Sequence, residues 1–323
     1  MTAPNATAAE AGTGVGADVP AGHRPRRPAG ARPGGAAASA GTGAGVDAGV
    51  GRTALLVAHA RALESRRARP LAVDPFAEHF VRAAPGCADW PRDPAEVAPG
   101  DPVWDRLAGY FALRTRVLDA HLLAATRAGT RQVVLLGAGL DSRAHRLPWP
   151  TGTTVWEVDR PEVLRFKQDV LDGLAATPRA DRRPVPADLR ADWTAPLTAA
   201  GLDPARPVAW LAEGLFLYLP AAAELRLATA LNALSAPGST LAYEIKTATE
   251  SPTVRSSPVY AATRARLGID LLALFAPGPR PDTAAALTSL GWTSTTRTPY
   301  DHAFRPAPHD PFAANRWITC AKH

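Results

Sequence analysis

The stretch QVVLLGAGLDSR, residues 132–143, decides the fold. Four consecutive apolar residues, Val133 to Leu136, run straight into Gly137-Ala138-Gly139. A strand with one buried face alternates apolar and polar residues. An unbroken apolar run is expected where helices cover both faces, as in the centre of a parallel sheet. Glycines directly after such a strand let a ligand approach the backbone closely. On its own a Gly-x-Gly is a weak signal, so the rest of the chain must decide what it means.

Downstream of this strand the chain alternates. TTVWEVD (153–159) reads as a second strand, a helix follows over 161–175, and PVPADLR (184–190) reads as a third strand. A polar helix over 192–200 precedes a fourth strand at 207–212. A helix over 220–235 leads to STLAYEIK (239–246), the fifth strand. Helices are expected over 259–275 and 283–290. Two short strands, WTSTTRT (292–298) and NRWITCAK (315–322), close the chain without a helix between them. Strands alternating with helices predict an open, doubly wound α/β sheet. The last two strands predict an antiparallel hairpin at one edge.

Upstream, residues 52–69 have helical spacing and stop at Pro70. Asp74 and Pro75 have the character of an N-cap and first helical position for a short helix. Residues 84–102 read as a loop, and 103–128 as a long amphipathic helix with Trp104, Leu107, Phe111, Leu118 and Leu122 on one face. Residues 1–50 contain no Leu, Ile, Phe, Trp or Tyr. Such a segment cannot bury enough apolar surface to offset its ordering entropy, so 1–50 is expected to be a disordered leader. The domain organisation is then a leader (1–50) and one domain (51–323), divided into a helical cover (51–128) and an α/β core (129–323).

Composition excludes several classes. No run of about 18 apolar residues occurs, so no membrane-spanning helix is expected. The leader has no apolar core of a secretory signal, and its prolines would break an amphipathic targeting helix. Two cysteines, Cys87 and Cys320, are too few for a disulfide framework, and a cytoplasmic location with two inert thiols is the expectation. The net charge is +6, from 36 basic and 30 acidic residues, with no basic stripe interleaved with aromatics, so nucleic acid is not expected as a partner. His59, His79, His121 and His145 show no metal-ligand spacing, and no metal is expected. Nothing in the sequence bears on oligomeric state.

In a doubly wound sheet, ligands sit beyond the carboxyl ends of the strands. There the sequence places Gly137, Gly139 and Asp141, then Glu157 and Asp159, Asp188, Glu213, and finally Tyr243, Glu244 and Lys246. A dinucleotide fingerprint would have a third glycine where this chain has Ser142, and its pyrophosphate seeks positive charge. S-adenosyl-L-methionine carries no phosphate but a sulfonium and an ammonium, which Asp188 and Glu213 suit. Blander readings stand beside these. Asp188 could cap a helix near Ala191, Asp141 could cap the turn after it, and Arg143 and Arg146 could simply stitch a helix to nearby acids. Glu213 lies within an apolar stretch, where an unpaired carboxylate is costly, so a functional role is favoured.

The chain resembles the leucine carboxyl methyltransferase superfamily, in its actinobacterial branch of S-adenosylmethionine-dependent methyltransferases. The likeness covers about 52–320. It is carried by TALLVAHARALESRRARPLAVDPFAEHFV (53–81), GYFALRTRVLD (109–119), VVLLGAGLDSRAHRLPWP (133–150), VWEVDRPEVLRFK (155–167), VPADLRADW (185–193) and LAEGLFLYLP (211–220). The resemblance implies a class I methyltransferase fold, Rossmann-like, with N-terminal helices over the site of the donor, S-adenosyl-L-methionine. It implies that Arg114 holds the donor's carboxylate, with Arg116 the competing choice. Gly137 and Gly139 would face its methionyl part, Asp159 its ribose, Asp188 its adenine amino group, and Glu213 its ammonium.

The expected reaction is O-methylation of a carboxylate on a small molecule or peptide. A carboxylate is already ionised at neutral pH, so no general base is needed, and none is obvious near the strand ends. Arg143 and Arg255 are candidates for steering such an acceptor. A phenol or alcohol acceptor, which needs a base, is the alternative. So are a ligand-binding protein that has lost its chemistry and, disfavoured by Ser142 and the acids, an NAD-dependent oxidoreductase. Deleting residues 1–50 should leave the melting temperature and donor affinity unchanged. A large loss of either, by calorimetry, would place the leader on the core.

Overall fold

Both faces of the expected central strand are covered by helices. In the computed structural model, which describes residues 50–307 and 309–323, β1 (Gln132–Leu136) is buried at every position. Apart from Val50, the leader lies outside the described residues. Val133 and Leu135 face one core with Leu118, Leu122 and Trp149, while Val134 and Leu136 face another with Leu197, Leu227 and Leu231. This two-sided burial is why the run is continuously apolar.

The elements in chain order begin with α1 (Val50–Ser65), α2 (Ala77–Arg82), α3 (Ala108–Arg127), β1 and α4 (Arg143–Arg146). Then come β2 (Thr154–Asp159), α5 (Pro161–Gly173), β3 (Asp181–Pro186), α6 (Thr194–Ala199), β4 (Val208–Ala212), α7 (Ala221–Ala233) and β5 (Thr240–Lys246). The chain closes with α8 (Pro252–Arg255), α9 (Pro258–Leu267), α10 (Leu271–Leu274), α11 (Thr283–Ser289), β6 (Trp292–Arg297) and β7 (Asn315–Lys322). The 7-stranded sheet has the order β3-β2-β1-β4-β5-β7-β6. Strands β1 to β5 are parallel; β7 is antiparallel to β5 and to β6, which forms the edge. The doubly wound sheet with an antiparallel terminal pair is therefore the observed architecture. No described helix is long and apolar enough to cross a membrane.

Several boundaries differ from expectation, each for a local reason. The first helix ends at Ser65, short of Pro70, because buried Glu64 accepts from the amide of Leu71 at 2.5 Å and Ser65 Oγ accepts from that of Asp74 at 2.8 Å, turning the chain early. Asp74 does hold the start of the next helix, accepting from the amides of Phe76 (3.0 Å) and Ala77 (3.2 Å). The loop at 84–102 contains short 3-10 turns at Pro85–Cys87 and Pro94–Glu96. The long helix begins with a wider, π-helical turn, Pro102–Leu107, capped by Asp101. The helix expected over 259–275 is two, because Gly268 takes the left-handed conformation that ends α9. The third strand is Asp181–Pro186 rather than 184–190. It pairs with β2 from Thr154↔Asp181 to Asp159↔Pro186 and ends where β2 ends. Being an edge strand, it tolerates Pro184 and Pro186.

A third core joins α1, α2, α3 and the segments after β5. Leu55, Leu56, Phe80, Trp104, Tyr110, Tyr260, Phe312 and Trp317 belong to it. Helix α3 thus spans two cores, its N-terminal half in this one and its C-terminal half against the sheet. Cys87 and Cys320 are both buried, and burial pushes the Cys320 thiol up to about 12.

Glu157, expected at the ligand rim, is instead a structural charge. Its side chain is fully buried and bridges Lys167 of α5, itself fully buried, and Arg182 of β3, both at 2.8 Å. It clamps α5 to the sheet beneath β2. Glu157→Ala would strand the Lys167 ammonium, and removing one partner of such a buried pair costs about 3–5 kcal/mol. Urea unfolding of this variant should show a loss of that size; a loss below about 1 kcal/mol would mean the cluster holds nothing together.

Candidate functional site

The order of the sheet creates a crevice where β1 and β4 lie side by side and their onward connections diverge. A cleft opens there. The turn after β1 (Gly137 to Asp141), the ends of β2 and β3 (Asp159, Asp188) and the turn after β4 (Glu213 to Leu215) line it. Helix α1 contributes Thr53, Ala54, Leu56, Val57 and Arg61, α3 contributes Phe111 and Arg114, and Leu271 closes one side. All six residues singled out from sequence, Arg114, Gly137, Gly139, Asp159, Asp188 and Glu213, meet in this wall. Arg116, two positions along α3, is exposed and takes no part.

The glycine turn is tight for a reason. Gly137 has φ 65°, and a Cβ added there would stand 3.2 Å from Leu215 Cδ1, so the two turns touch. A Cβ at Gly139 would stand 3.4 Å from Ala54 of α1. Side chains at these positions would fill the floor of the cleft. Asp159 follows β2 in line with the turn. Its Oδ2 accepts from the Gly139 amide at 2.6 Å and its Oδ1 from the Arg160 amide at 2.7 Å. Burial raises its carboxyl above the ordinary value, against those two amides, which lower it.

Asp188 lies two residues beyond β3, not within it. It caps no helix: α6 begins later, and Asp192 accepts from the amide of Thr194. Asp188 is instead held by Arg190, at 2.6 Å from Nη2, and this partner takes its carboxyl down to about 2.

Glu213 is the most constrained acid. Arg114 Nε donates to Oε1 at 3.0 Å and Arg143 Nη1 to Oε2 at 2.7 Å. Burial alone would raise its pKa, but Arg143, Arg114 and Arg61 hold it at about 2. Arg143 also binds Asp119 at 2.6 Å and pairs with Asp141, whose Oδ1 caps the turn into α4 by accepting from the Arg143 amide at 2.6 Å. Arg146 holds the other side of Asp119 at 2.6 Å. The stitching expected of Arg143 and Arg146 is therefore present, and it corrects the idea that Arg143 awaits an acceptor. With a side chain 3% exposed, it has no free approach. Arg255 pairs with Glu250 and lies outside the cleft wall.

These pairings also correct the reading of the rim as acidic. Four acids line the cleft (Asp141, Asp159, Asp188, Glu213), and so do four arginines (Arg61, Arg114, Arg160, Arg190). Sequence reasoning missed Arg61, which reaches from α1 to the glycine turn, donating to the Leu140 carbonyl at 2.6 Å and to Asp74 at 2.7 Å. It also missed the wall made by Phe111, Leu215, Tyr218 and Leu219. For Leu215, Tyr218 and Leu219 the LAEGLFLYL run contained that signal, as an apolar segment following a carboxylate.

Comparison with known proteins identifies the family. Residues 54–232 match the family model of leucine carboxyl methyltransferase. A Streptomyces coelicolor protein named "Putative S-adenosyl-L-methionine-dependent methyltransferase" is 53% identical over 277 residues, covering 83% of this chain and 91% of its own. A Mycobacterium bovis protein of the same name is 45% identical over 261 residues, 77% of this chain and 85% of its own. Among solved structures, a DUF574-family protein from Streptomyces avermitilis superposes with a TM-score of 0.51 at 18% identity, over 84% of this chain and 97% of that one, a likeness of fold. With more than half its length matched by the family model and relatives this similar along most of their length, the chain belongs to the leucine carboxyl methyltransferase family, a family of S-adenosyl-L-methionine-dependent methyltransferases.

Proposed function

We propose that the cleft transfers a methyl group from S-adenosyl-L-methionine to a carboxylate oxygen of a small molecule or peptide. The donor supplies the electrophile, a methyl group on a sulfonium. The observation that carries the carboxylate reading is that every acid lining the cleft is already engaged. Asp141 is on Arg143, Asp159 on two backbone amides, Asp188 on Arg190, and Glu213 on two arginines. Asp188 and Glu213, both held at about 2 by arginines, are weak bases, and the remaining lone pairs of Asp159 are assigned to the donor's ribose. Tyr218, the one phenol in the wall, has its pKa raised by burial, against the pull of Arg114. A carboxylate acceptor asks for no base, because its own pKa is near 4.

The residues then divide their work. Gly137 and Gly139 keep the floor of the cleft open for the methionyl part of the donor. Asp159 retains lone pairs for a ribose diol beyond its two amide bonds, since a carboxylate has about four acceptor sites. Asp188, at the outer end, is the partner for the adenine amino group. Arg114 takes the donor's carboxylate and Glu213 its ammonium. Helices α1 and α3 form a cover that excludes water, and their apolar side chains at Leu56, Val57 and Phe111 lower the local dielectric. Sulfonium and carboxylate lose charge together as the methyl moves, so a dry pocket favours the transition state over the separated ions.

Two measurements test this. Asp159→Ala should weaken S-adenosyl-L-methionine binding about tenfold or more by calorimetry, the loss of at least one charge-assisted hydrogen bond of about 1.5–3 kcal/mol. An unchanged affinity in the folded variant would remove Asp159 from the donor site. With an acceptor in hand and chemistry rate-limiting, turnover should be flat from about pH 6 to pH 8, because a carboxyl with pKa near 4 is fully ionised there. Glu213 and Asp188, both held at about 2, also keep their charge across that window. A rate climbing about tenfold per pH unit would replace the carboxylate with a phenol or alcohol acceptor that must lose a proton.

A further inference from the structure

Arg114 lines the cleft, but one of the two carboxylates that hold it does not. Glu244, on β5, is 1% exposed and lies behind the cleft wall. Its Oε2 accepts from Arg114 Nη1 at 2.6 Å. Its Oε1 accepts from the Tyr110 hydroxyl and, at 2.7 Å, from Asn315 Nδ2. The Tyr110 oxygen in turn accepts from Trp317 Nε1 at 3.0 Å and from Asn315 Nδ2 at 2.6 Å. Tyr110 stands one turn before Arg114 on α3, so the two share a face. Asn315 and Trp317 come from β7, which pairs with β5 in a register that sets Trp317 opposite Glu244. The Asn315 amide cannot turn over: its oxygen accepts from the Lys246 ammonium, which leaves its nitrogen for Glu244.

The consequence falls on the guanidinium. A planar fork held at two nitrogens has little freedom left. Nε is on Glu213, directly after β4, and Nη1 on Glu244 of the neighbouring strand β5. Nη2 makes no hydrogen bond among the described residues. It lies beside Gly214 of the cleft wall, where an added Cβ would be 3.8 Å from it.

We propose that Glu244 is a positioning residue for donor binding: keyed by Tyr110, Asn315 and Trp317, it sets the plane of Arg114 so that Nη2 meets the donor's carboxylate. The proposal rests on the reading that Arg114 binds that carboxylate. A glutamine at 244 cannot replace the acid. Its amide must turn an NH2 group toward either Arg114 or Asn315 Nδ2, both of which donate.

The test compares two ligands that share a nucleoside, S-adenosylhomocysteine and 5′-methylthioadenosine, which lacks the amino-acid end. Glu244→Gln should weaken S-adenosylhomocysteine binding about five- to twentyfold and leave 5′-methylthioadenosine within twofold. Tyr110→Phe, a gentler change, should give about a threefold loss with the same selectivity, and it serves if the first variant does not fold. Unchanged or tighter S-adenosylhomocysteine binding overturns the proposal, as does equal weakening of both ligands, which a general structural defect would produce. Arg114→Ala tests the underlying reading separately: it should weaken only S-adenosylhomocysteine, and failure there removes Arg114, and Glu244 with it, from donor binding. If Arg114→Ala behaves as expected, adding Glu244→Gln to it should cause no further loss. A further loss would show that Glu244 acts by another route.

Discussion

Glu213 follows β4 directly and accepts hydrogen bonds from arginines on two different helices, Arg114 of α3 and Arg143 of α4. The pairing continues in both directions. Arg114 reaches Glu244 on β5, while Arg143 reaches Asp119, then Arg146, then Asp74 at 4.0 Å, which Arg61 of α1 holds at 2.7 Å. A chain of alternating charge thus runs from β5 to α1 across the carboxyl ends of the strands. Buried charges of this kind contribute little net stability, because desolvation offsets most of the attraction, but each is costly to leave alone. What the chain provides is placement. Helices α1 and α3 cannot shift over the sheet without stranding a charge.

That constraint fixes the helices that wall the cleft. The switch in strand order between β1 and β4 makes a crevice in any such sheet. Here its floor is two touching turns, with Gly137 against Leu215, and its roof is α1, whose Ala54 approaches Gly139. The apolar cores do the rest. One face of the sheet packs on α6, α7 and α11 and the other on α3, so the strand ends are rigidly presented. The lining is electrically balanced rather than acidic, so recognition of a cationic donor comes from the direction of particular carboxylates and not from a field of one sign.

Much of this was legible in the chain. The unbroken run Val133–Leu136, the alternation of strands and helices, and the helix-free terminal strands are local patterns, and they predicted the doubly wound sheet and its antiparallel edge. Five of the six cleft residues could be named because strand ends in a parallel sheet share one rim, so marking the ends of strands marks the site; Arg114, on α3, came only from the family resemblance. The errors have a common cause. The third strand was displaced because β2, its partner, decides where it ends. Glu157 was assigned to the rim because its place beneath α5 depends on Lys167 and Arg182, each from a different element.

Local periodicity and residue chemistry are enough to give the alternation of strands and helices, the glycine turn after β1 and the carboxylates Asp159 and Glu213 at strand ends. What each charge does is settled by packing. Arg143 became an internal tie, Arg61 a part of the cleft wall, and Glu244 the backing of Arg114. A charged side chain takes its role from its partner, and these partners lie as far as 130 positions away along the chain. No local pattern encodes such pairings; they exist only once α1, α3, β4, β5 and β7 are packed together.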